Sequence, residues 1–242
     1  MNIPIFLLIL SLGHVLGDFY FQWNHMAEMK KTSFKWLFFH GVVYAACIAL
    51  AISSLVLFGG VTHSPKLLWI LILISISHMI IDFCKTRTVL GNKKWSFVID
   101  QAAHLGVLLF AWLLWGKELA IGCYIYDYAH HITIILGLLF IIRPVGLLLE
   151  EDAIWSFDMN QSNPHQKNAS RVIGYLERII VFFLLLHGQY SAIALVIAAK
   201  SIARFPEIKD EKSHMQANHY IIGTFISLTA VIFVTVLLNL TS

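Results

Sequence analysis

The chain has 242 residues, of which 58% are hydrophobic and only 13% are charged, and its mean hydropathy is +0.75. Soluble globular proteins carry about 25% charged residues, so this composition argues against a soluble enzyme and against a disordered chain. The net charge is only +3, and the basic residues lie between apolar runs, which argues against a nucleic-acid-binding protein. The composition predicts a polytopic membrane protein.

Apolar stretches long enough to cross a membrane as helices, about 20 residues each, recur along the chain. In chain order they cover residues 3–22, 36–58, 67–84, 97–115, 125–148 and 219–238. The range 172–205 is too long for one span and is interrupted at His187-Gly188-Gln189-Tyr190. We interpret it as two short helices, 172–187 and 190–205, joined by a tight turn. One long tilted helix is the alternative.

The basic residues support the interpretation as two short helices, because Lys and Arg accumulate in cytoplasmic loops. Eight helices with both termini outside place 15 of the 17 Lys and Arg residues on the cytoplasmic side. One long helix would instead move the last basic cluster, residues 200–212, to the outside. The sequence thus predicts an all-α transmembrane bundle of about eight helices. Residues 1–116 would form a four-helix bundle with a polar site, and residues 117–242 a second half containing the broken hairpin.

Three of the predicted spans carry a His and an Asp four residues apart. The pairs are His14 and Asp18, His78 and Asp82, and Asp100 and His104. On a helix, this spacing puts both side chains on one face, one turn apart. The order is reversed in the third pair, whose helix runs the opposite way. The three Asp residues therefore share one depth near the cytoplasmic helix ends, and the three His residues lie one turn deeper. His40 reaches a similar depth without an Asp partner on its own helix.

Imidazole and carboxylate groups are typical ligands of Zn²⁺, Mn²⁺ and Fe²⁺. One zinc ion needs only three or four ligands, so six or seven such groups predict either two metals or one metal with acid–base partners. In a hydrolase, one of the carboxylates Asp18, Asp82 and Asp100 would act as general base. Gln22 and Gln101 are candidates for orienting the ligands. Polar packing between helices without a metal is the alternative.

Two weaker groups of polar residues stand apart from these pairs. Near the cytoplasmic ends of the predicted hairpin lie Glu177, Arg178, Lys200 and Arg204. Lys200 and Arg204 share a helix face, which predicts a site for a lipid phosphate or a substrate phosphoryl group; ordinary flanking charges are the alternative. Near the outer end of the fifth span lie Asp127, His130 and His131, which indicate a second metal site or an interfacial polar patch.

The combined motifs resemble an uncharacterised bacterial inner-membrane family, the domain of unknown function 3307. The resemblance rests on His14-x-x-x-Asp18-Phe19-x-x-Gln22, His78-x-x-x-Asp82 and Asp100-Gln101-x-x-His104, and in the second half on residues 174–178, 198–205 and 222–224. The first half is similar, more loosely, to predicted membrane-bound metal-dependent hydrolases. That similarity implies metal-dependent hydrolysis by analogy, and the family implies a multi-pass protein of the bacterial inner membrane.

Two functions are consistent with these residues. The first is a membrane hydrolase with a cytoplasm-facing metal site, zinc or alternatively manganese or iron, acting on a lipidic or phosphorylated substrate. The second is a transporter of a divalent metal or of protons. The outward halves of the spans, residues 5–12, 67–76 and 105–115, are almost wholly apolar, which favours a one-sided site and hence an enzyme. An accessory subunit without a metal is a third possibility, and the oligomeric state stays open.

Overall fold

The computed structural model describes residues 4–58, 60–62, 64–87, 95–150, 164–208 and 214–241. Within these residues the chain is all-α, with one isolated antiparallel bridge between Val61 and Ile121. The α-helices in chain order are α1 Ile5–Val15, α2 Asn24–Met29, α3 Phe34–Leu57, α4 Pro65–Arg87, α5 Ser96–Leu114, α6 Ala129–Ile142, α7 Pro144–Glu150, α8 Pro164–Leu186, α9 Tyr190–Ile208 and α10 His214–Thr241. A π-helical turn, Leu16–Tyr20, continues α1, and 3₁₀ turns cover Gly116–Glu118 and Cys123–Tyr128.

The described residues contain five helical segments that are long and apolar enough to cross a membrane. These are Phe34–Leu57, Pro65–Arg87, Ser96–Glu118, Ile125–Leu149 and Ile221–Leu238, and shorter apolar helices cover Ile5–Tyr20 and Tyr190–Ile202. The protein is thus a helical, multi-pass membrane protein, as the composition predicted. The count of eight spans and the outside position of both termini stay predictions.

The predicted break in the range 172–205 is present as a turn between α8 and α9. Gly188 adopts a left-handed backbone conformation, with φ of +68°, which a residue without Cβ adopts at little cost. The Gln189 N–H donates to the Leu184 carbonyl at 2.8 Å, and the Gly188 N–H donates to the Leu185 carbonyl at 3.1 Å. These two bonds form a Schellman motif, which satisfies the last carbonyls of a helix and ends it. The hairpin therefore consists of two separate helices.

The described residues group into two compact units. The first contains the chain up to Leu136, and the second contains most of the chain from Gly137 onwards. In the first unit, α1 packs against α3 and α5, α3 packs against α4, and α4 packs against α5, so these four helices close a ring. In the second unit, α8 packs against α7 and α9. The predicted His/Asp residues all belong to the ring of the first unit.

An apolar core fills one end of this ring. Its buried members are Ile5, Phe6, Ile9, Leu10, Tyr44, Ile48, Ile52, Leu55, Val61, Leu67, Ile70, Ile74, Leu108, Ala111 and Ile125. They project from α1, α3, α4 and α5 and from the segments that follow α3 and α5. The His and Asp residues lie further along the same helices, beyond this core, so the ring has an apolar end and a polar end.

Two glycines let α1 and its π-turn approach α3 closely. A Cβ atom on Gly13 would lie 3.0 Å from the Ala51 Cβ, and one on Gly17 would lie 2.9 Å from the Tyr44 Cδ2. Carbon atoms in ordinary contact are about 3.5–4.0 Å apart, so larger residues would push the two helices apart. This Gly-x-x-x-Gly spacing is typical of closely packed membrane helices. It brings the end of α1 against the middle of α3, where His40 and Tyr44 lie.

Candidate metal centre

Seven His and Asp side chains from α1, its π-turn, α3, α4 and α5 come together at the polar end of the ring. They are His14, Asp18, His40, His78, Asp82, Asp100 and His104, and each is 8% exposed or less. Burial of so many ionisable groups within apolar helices is costly, and such groups usually pair with one another or serve a function. The structure therefore brings together the six residues of the predicted pairs and His40 as a seventh.

The π-turn changes the role of the first pair. The Phe21 N–H donates to the Leu16 carbonyl at 2.9 Å, five residues back, so the segment that carries Asp18 is wound more widely than an α-helix. His14 is engaged elsewhere, with its Nδ1 atom 3.1 Å from the Tyr44 hydroxyl and its Nε2 atom 3.2 Å from the Gln101 side-chain oxygen. Two α-helical pairs keep the expected proximity. His78 Nε2 lies 3.7 Å from Asp82 Oδ2, and His104 Nε2 lies 3.5 Å from Asp100 Oδ1.

Four ligand atoms from α3, α4 and the π-turn lie close together. The His40 Nε2 atom lies 3.3 Å from Asp18 Oδ1, 3.3 Å from Asp82 Oδ2 and 3.1 Å from His78 Nε2. The His78 Nε2 atom lies 4.0 Å from Asp18 Oδ1 and 3.7 Å from Asp82 Oδ2. In a tetrahedral zinc site with bonds of about 2.0–2.1 Å, ligand atoms are roughly 3.3 Å apart. Five of the six distances among these four atoms, which we call the four-donor set, thus lie between 3.1 and 4.0 Å.

Combinations that include His104 are looser than the four-donor set. Three groups of three residues each offer ligand atoms within 4.8 Å of one another: Asp18 with His40 and His78, His78 with Asp82 and His104, and Asp18 with Asp100 and His104. The last two groups depend on His104, whose Nε2 atom is 3.9 Å from Asp82 Oδ1. The buried His/Asp cluster is thus able to hold a metal ion, and the four-donor set is its most compact part.

Three buried atoms of the centre have no hydrogen-bond partner among the described residues. They are His40 Nδ1, Asp100 Oδ1 and His104 Nε2. A buried polar atom without a partner costs free energy, and native proteins rarely leave one without a ligand or a water molecule. Two of the three, on Asp100 and His104, face each other at 3.5 Å without good hydrogen-bond geometry. They indicate that the centre is built to receive a ligand or water.

The imidazoles at the centre are held by their neighbours. The Nδ1 atom of His78 is 3.2 Å from the Nδ1 atom of His104, and the Tyr44 ring stacks on the His78 ring with centroids 3.5 Å apart and planes 3° apart. Gln101, a predicted orienting residue, donates to Asp18 at 2.9 Å while its oxygen faces His14. Such contacts fix the orientation of potential ligands.

Two lysines at the centre were not predicted as site residues. The Lys30 ammonium, just after α2, donates to Asp82 Oδ2 at 2.8 Å and to the Gln22 side-chain oxygen at 3.0 Å. The Lys85 ammonium donates to Asp100 Oδ2 at 2.9 Å. In the sequence both lysines look like ordinary cytoplasmic flanking charges. The one available signal was that Lys85 follows Asp82 by three residues, which places it near that helix face.

The predicted anion-binding residues belong to the second unit. Lys200 forms an ion pair with Glu177, and both line a cavity between α8, α9 and α10 together with Arg178. Arg178 is buried, donates to the Ile142 carbonyl at 3.2 Å and lies over the Tyr175 ring. The side chain of Arg204 lies outside the described residues. An anion site here stays a prediction, since Lys200 already has a carboxylate partner.

The predicted outer group is not organised as a metal site in the described part of the chain. The rings of His130 and His131 are 6.0 Å apart, and neither belongs to a group of three ligand-type residues. Asp127 likewise belongs to none of these groups. An interfacial polar patch is the simpler interpretation of these three residues.

Comparison with known proteins places the centre within one family. Residues 5–130 match the family described as "Protein of unknown function (DUF3307)", and this range contains all seven His and Asp residues. The motifs noted at 174–178, 198–205 and 222–224 lie beyond the matched range. No curated protein and no solved structure shows significant similarity to the chain. Since the match covers more than half of its residues, the chain belongs to the DUF3307 family of proteins of unknown function.

Proposed function

We propose that the protein is a metal-dependent hydrolase of the bacterial inner membrane, acting from the cytoplasmic side on a lipidic or phosphorylated substrate. The observation that carries this proposal is the four-donor set of Asp18, His40, His78 and Asp82, with neighbouring ligand atoms 3.1–4.0 Å apart in a buried site. Two imidazoles and two carboxylates can hold zinc, with manganese or iron as alternatives. Because four protein donors fill a tetrahedral zinc ion, the attacking water would have to be a fifth ligand.

The contacts between imidazoles favour one ion over two. A neutral imidazole carries one N–H donor and one acceptor nitrogen. If His78 Nε2 binds the ion, His78 Nδ1 keeps the hydrogen and donates to His104 Nδ1, 3.2 Å away. His104 then carries its own hydrogen on Nε2, which faces Asp100 and has no lone pair left for a second ion. We therefore assign one ion per chain.

Asp100 and His104, the pair outside the four-donor set, are placed to accept a proton. A divalent ion would polarise the scissile group and favour ionisation of a water molecule. Asp100 and His104 lie beside the four-donor set, and the His104 ring is in contact with the ligand His78. Because His104 has no free lone pair in this hydrogen arrangement, we assign to the Asp100 carboxylate the acceptance of the proton from the attacking water, and to the His104 N–H the orientation of that carboxylate. Asp18 and Asp82 then serve as ligands, so the three predicted catalytic carboxylates divide into two roles.

The apolar end of the ring argues against transport through the same centre. A transporter needs a polar path from the site to both sides of the membrane. In the described residues, the ring beyond the His layer is filled by buried apolar side chains such as Ile48, Ile74 and Leu108. The lysines, by contrast, lie at the polar end. One-sided access to the centre supports an enzyme rather than a transporter.

Metal analysis of the detergent-purified protein tests the proposal. We expect about one equivalent of Zn, Mn or Fe in the wild-type chain, and loss of the metal when His78 and Asp82 are both changed to Ala. His104→Gln should keep its metal, because His104 lies outside the four-donor set, and His131→Ala is the control at an exposed histidine. Absence of metal from wild-type protein supplied with it would refute the proposal. Hydrolysis of phosphatidic acid vesicles by loaded wild-type protein, lost in His104→Gln, would then test the activity.

A further inference from the structure

The two lysines at the centre are placed differently from ordinary membrane-flanking lysines. The Lys30 side chain is only 11% exposed and the Lys85 side chain 28% exposed. A flanking lysine normally extends its ammonium group into water. Here each ammonium turns inward, and each bonds a different carboxylate of the centre, Asp82 or Asp100. The tendency of lysines to flank membrane helices on the cytoplasmic side does not explain why these two ammonium groups are turned inward.

The formal charge of the centre depends on whether a metal is bound. Three carboxylates and two ammonium groups, with neutral imidazoles, give a formal charge of −1. One divalent ion would change this charge to +1. The metal-free centre thus attracts a cation, and the loaded centre attracts an anion. Charge effects of this kind are strong in a buried site, where water screens them poorly.

The metal and Lys30 use the same oxygen atom. Asp82 Oδ2 accepts from Lys30 at 2.8 Å and also belongs to the four-donor set, 3.3 Å from His40 Nε2. An ion bound there would withdraw electron density from this oxygen and repel the nearby ammonium. Lys30 would then need another anionic partner. Lys85 bonds Asp100, a carboxylate of the centre outside the four-donor set, so its ammonium also lies beside the bound ion.

We propose that Lys30 and Lys85 bind the phosphoryl oxygens of an anionic substrate once a metal ion occupies the four-donor set. This proposal rests on the proposed metal-dependent function and specifies its substrate class as a phosphate monoester or an acidic phospholipid headgroup. Ammonium groups are common phosphate ligands in proteins. The order of binding follows from the charges: the metal binds first and the anion second.

Anion binding to the Co²⁺-loaded protein tests this proposal, because a bound anion changes the visible absorption of the metal site. We expect inorganic phosphate to change the absorption of the loaded wild-type protein. Isothermal titration calorimetry, which needs no metal absorption, should detect phosphate binding to the loaded protein and none to the metal-free protein. Lys30→Gln and Lys85→Gln should each weaken phosphate binding by about tenfold, the value of one charge-assisted hydrogen bond. Lys31→Gln, which removes an exposed neighbouring lysine, should leave it unchanged.

Metal affinity provides a second readout of opposite sign. Lys30→Gln removes the competing cation, so we expect tighter metal binding in a chelator competition, by about tenfold. Lys30→Arg keeps the charge and should keep phosphate binding, which separates loss of charge from misfolding. Equal phosphate binding by the Gln variants and Lys31→Gln would overturn the inference while leaving the metal site intact. Failure of the wild-type chain to bind metal would instead remove the proposed function itself.

Short-chain phosphatidic acid distinguishes a lipid headgroup from a free phosphate. If the substrate is a lipid, this compound should bind the loaded protein more tightly than inorganic phosphate does. Equal affinities would indicate that the lysines recognise the phosphate group alone. Loss of binding of both probes in a Lys30→Gln/Lys85→Gln double variant is the result expected in either case, and retained binding would overturn the inference.

Discussion

Replacement of Gly17 by Ala tests whether the close contact with α3 maintains the metal centre. The added Cβ would lie 2.9 Å from Tyr44 Cδ2 and 3.3 Å from Tyr44 Cα. Since carbon contacts are about 3.5–4.0 Å, the two segments must separate by roughly 0.2–0.6 Å unless the Tyr44 ring moves. That ring is buried and stacked on His78, so it has little room. Overpacking of this kind costs about 1–3 kcal/mol.

The same displacement should weaken metal binding. Asp18 lies in the π-turn and His40 lies on α3, and their ligand atoms are 3.3 Å apart across this contact. Metal–ligand distances tolerate changes of only about 0.2 Å, so we expect Gly17→Ala to lower metal affinity by at least about tenfold. Thermal unfolding of the metal-free protein and chelator competition measure the two effects separately.

Gly106→Ala is the matched control, because among the described residues no atom beyond the adjoining residues and backbone of α5 lies within 4 Å of the added Cβ. An Ala in a helix is favoured over Gly by up to about 1 kcal/mol, so this variant should be neutral or more stable. Similar unfolding temperatures and metal affinities for Gly17→Ala and Gly106→Ala would show that the contact between the π-turn and α3 does not maintain the centre.

Two further variants separate structure from metal binding. Tyr44→Phe removes the hydroxyl 3.1 Å from His14 but keeps the ring stacked on His78. We expect the free energy of unfolding to fall by about 1–2 kcal/mol while the metal content stays unchanged. Loss of the metal would contradict this view. Gly188→Ala places a Cβ at a φ of +68°, which should cost about 1–2 kcal/mol in unfolding and leave metal content unchanged. The control is Gly223→Ala on α10, where the added Cβ meets no side chain among the described residues within 4 Å. Equal stability of the two variants would count against the importance of the turn.

Much of the fold was predictable because its causes are local. The length of apolar runs predicted the membrane helices, and His187-Gly188-Gln189 predicted the turn that divides the hairpin. The four-residue spacing of His78 with Asp82 and of Asp100 with His104 predicted their proximity. These inferences need only the geometry of one helix and the requirement that polar groups avoid lipid.

The unpredicted features depend on contacts between helices. The interval from His14 to Asp18 is identical to that in His78–Asp82, and the residues themselves do not indicate a π-turn. His40 has no acidic partner on α3, yet Asp18 and Asp82 both lie 3.3 Å from it. Lys30 was counted among the flanking charges, since its bond to Asp82 on α4 arises only when α2 packs beside α3. Such relations require the three-dimensional arrangement.

The π-turn removes the symmetry that the sequence suggests. Three equal His–Asp pairs on three helices would each offer only two ligands, fewer than the three or four that a zinc ion needs. The wider winding after Val15 separates the functions of His14 and Asp18, and Asp18 joins the imidazole of α3 instead. One position thereby gains four ligand atoms while Asp100 and His104 remain outside it. One wide turn after α1 thus converts three His–Asp pairs of equal spacing into one four-ligand site, with Asp100 and His104 beside it.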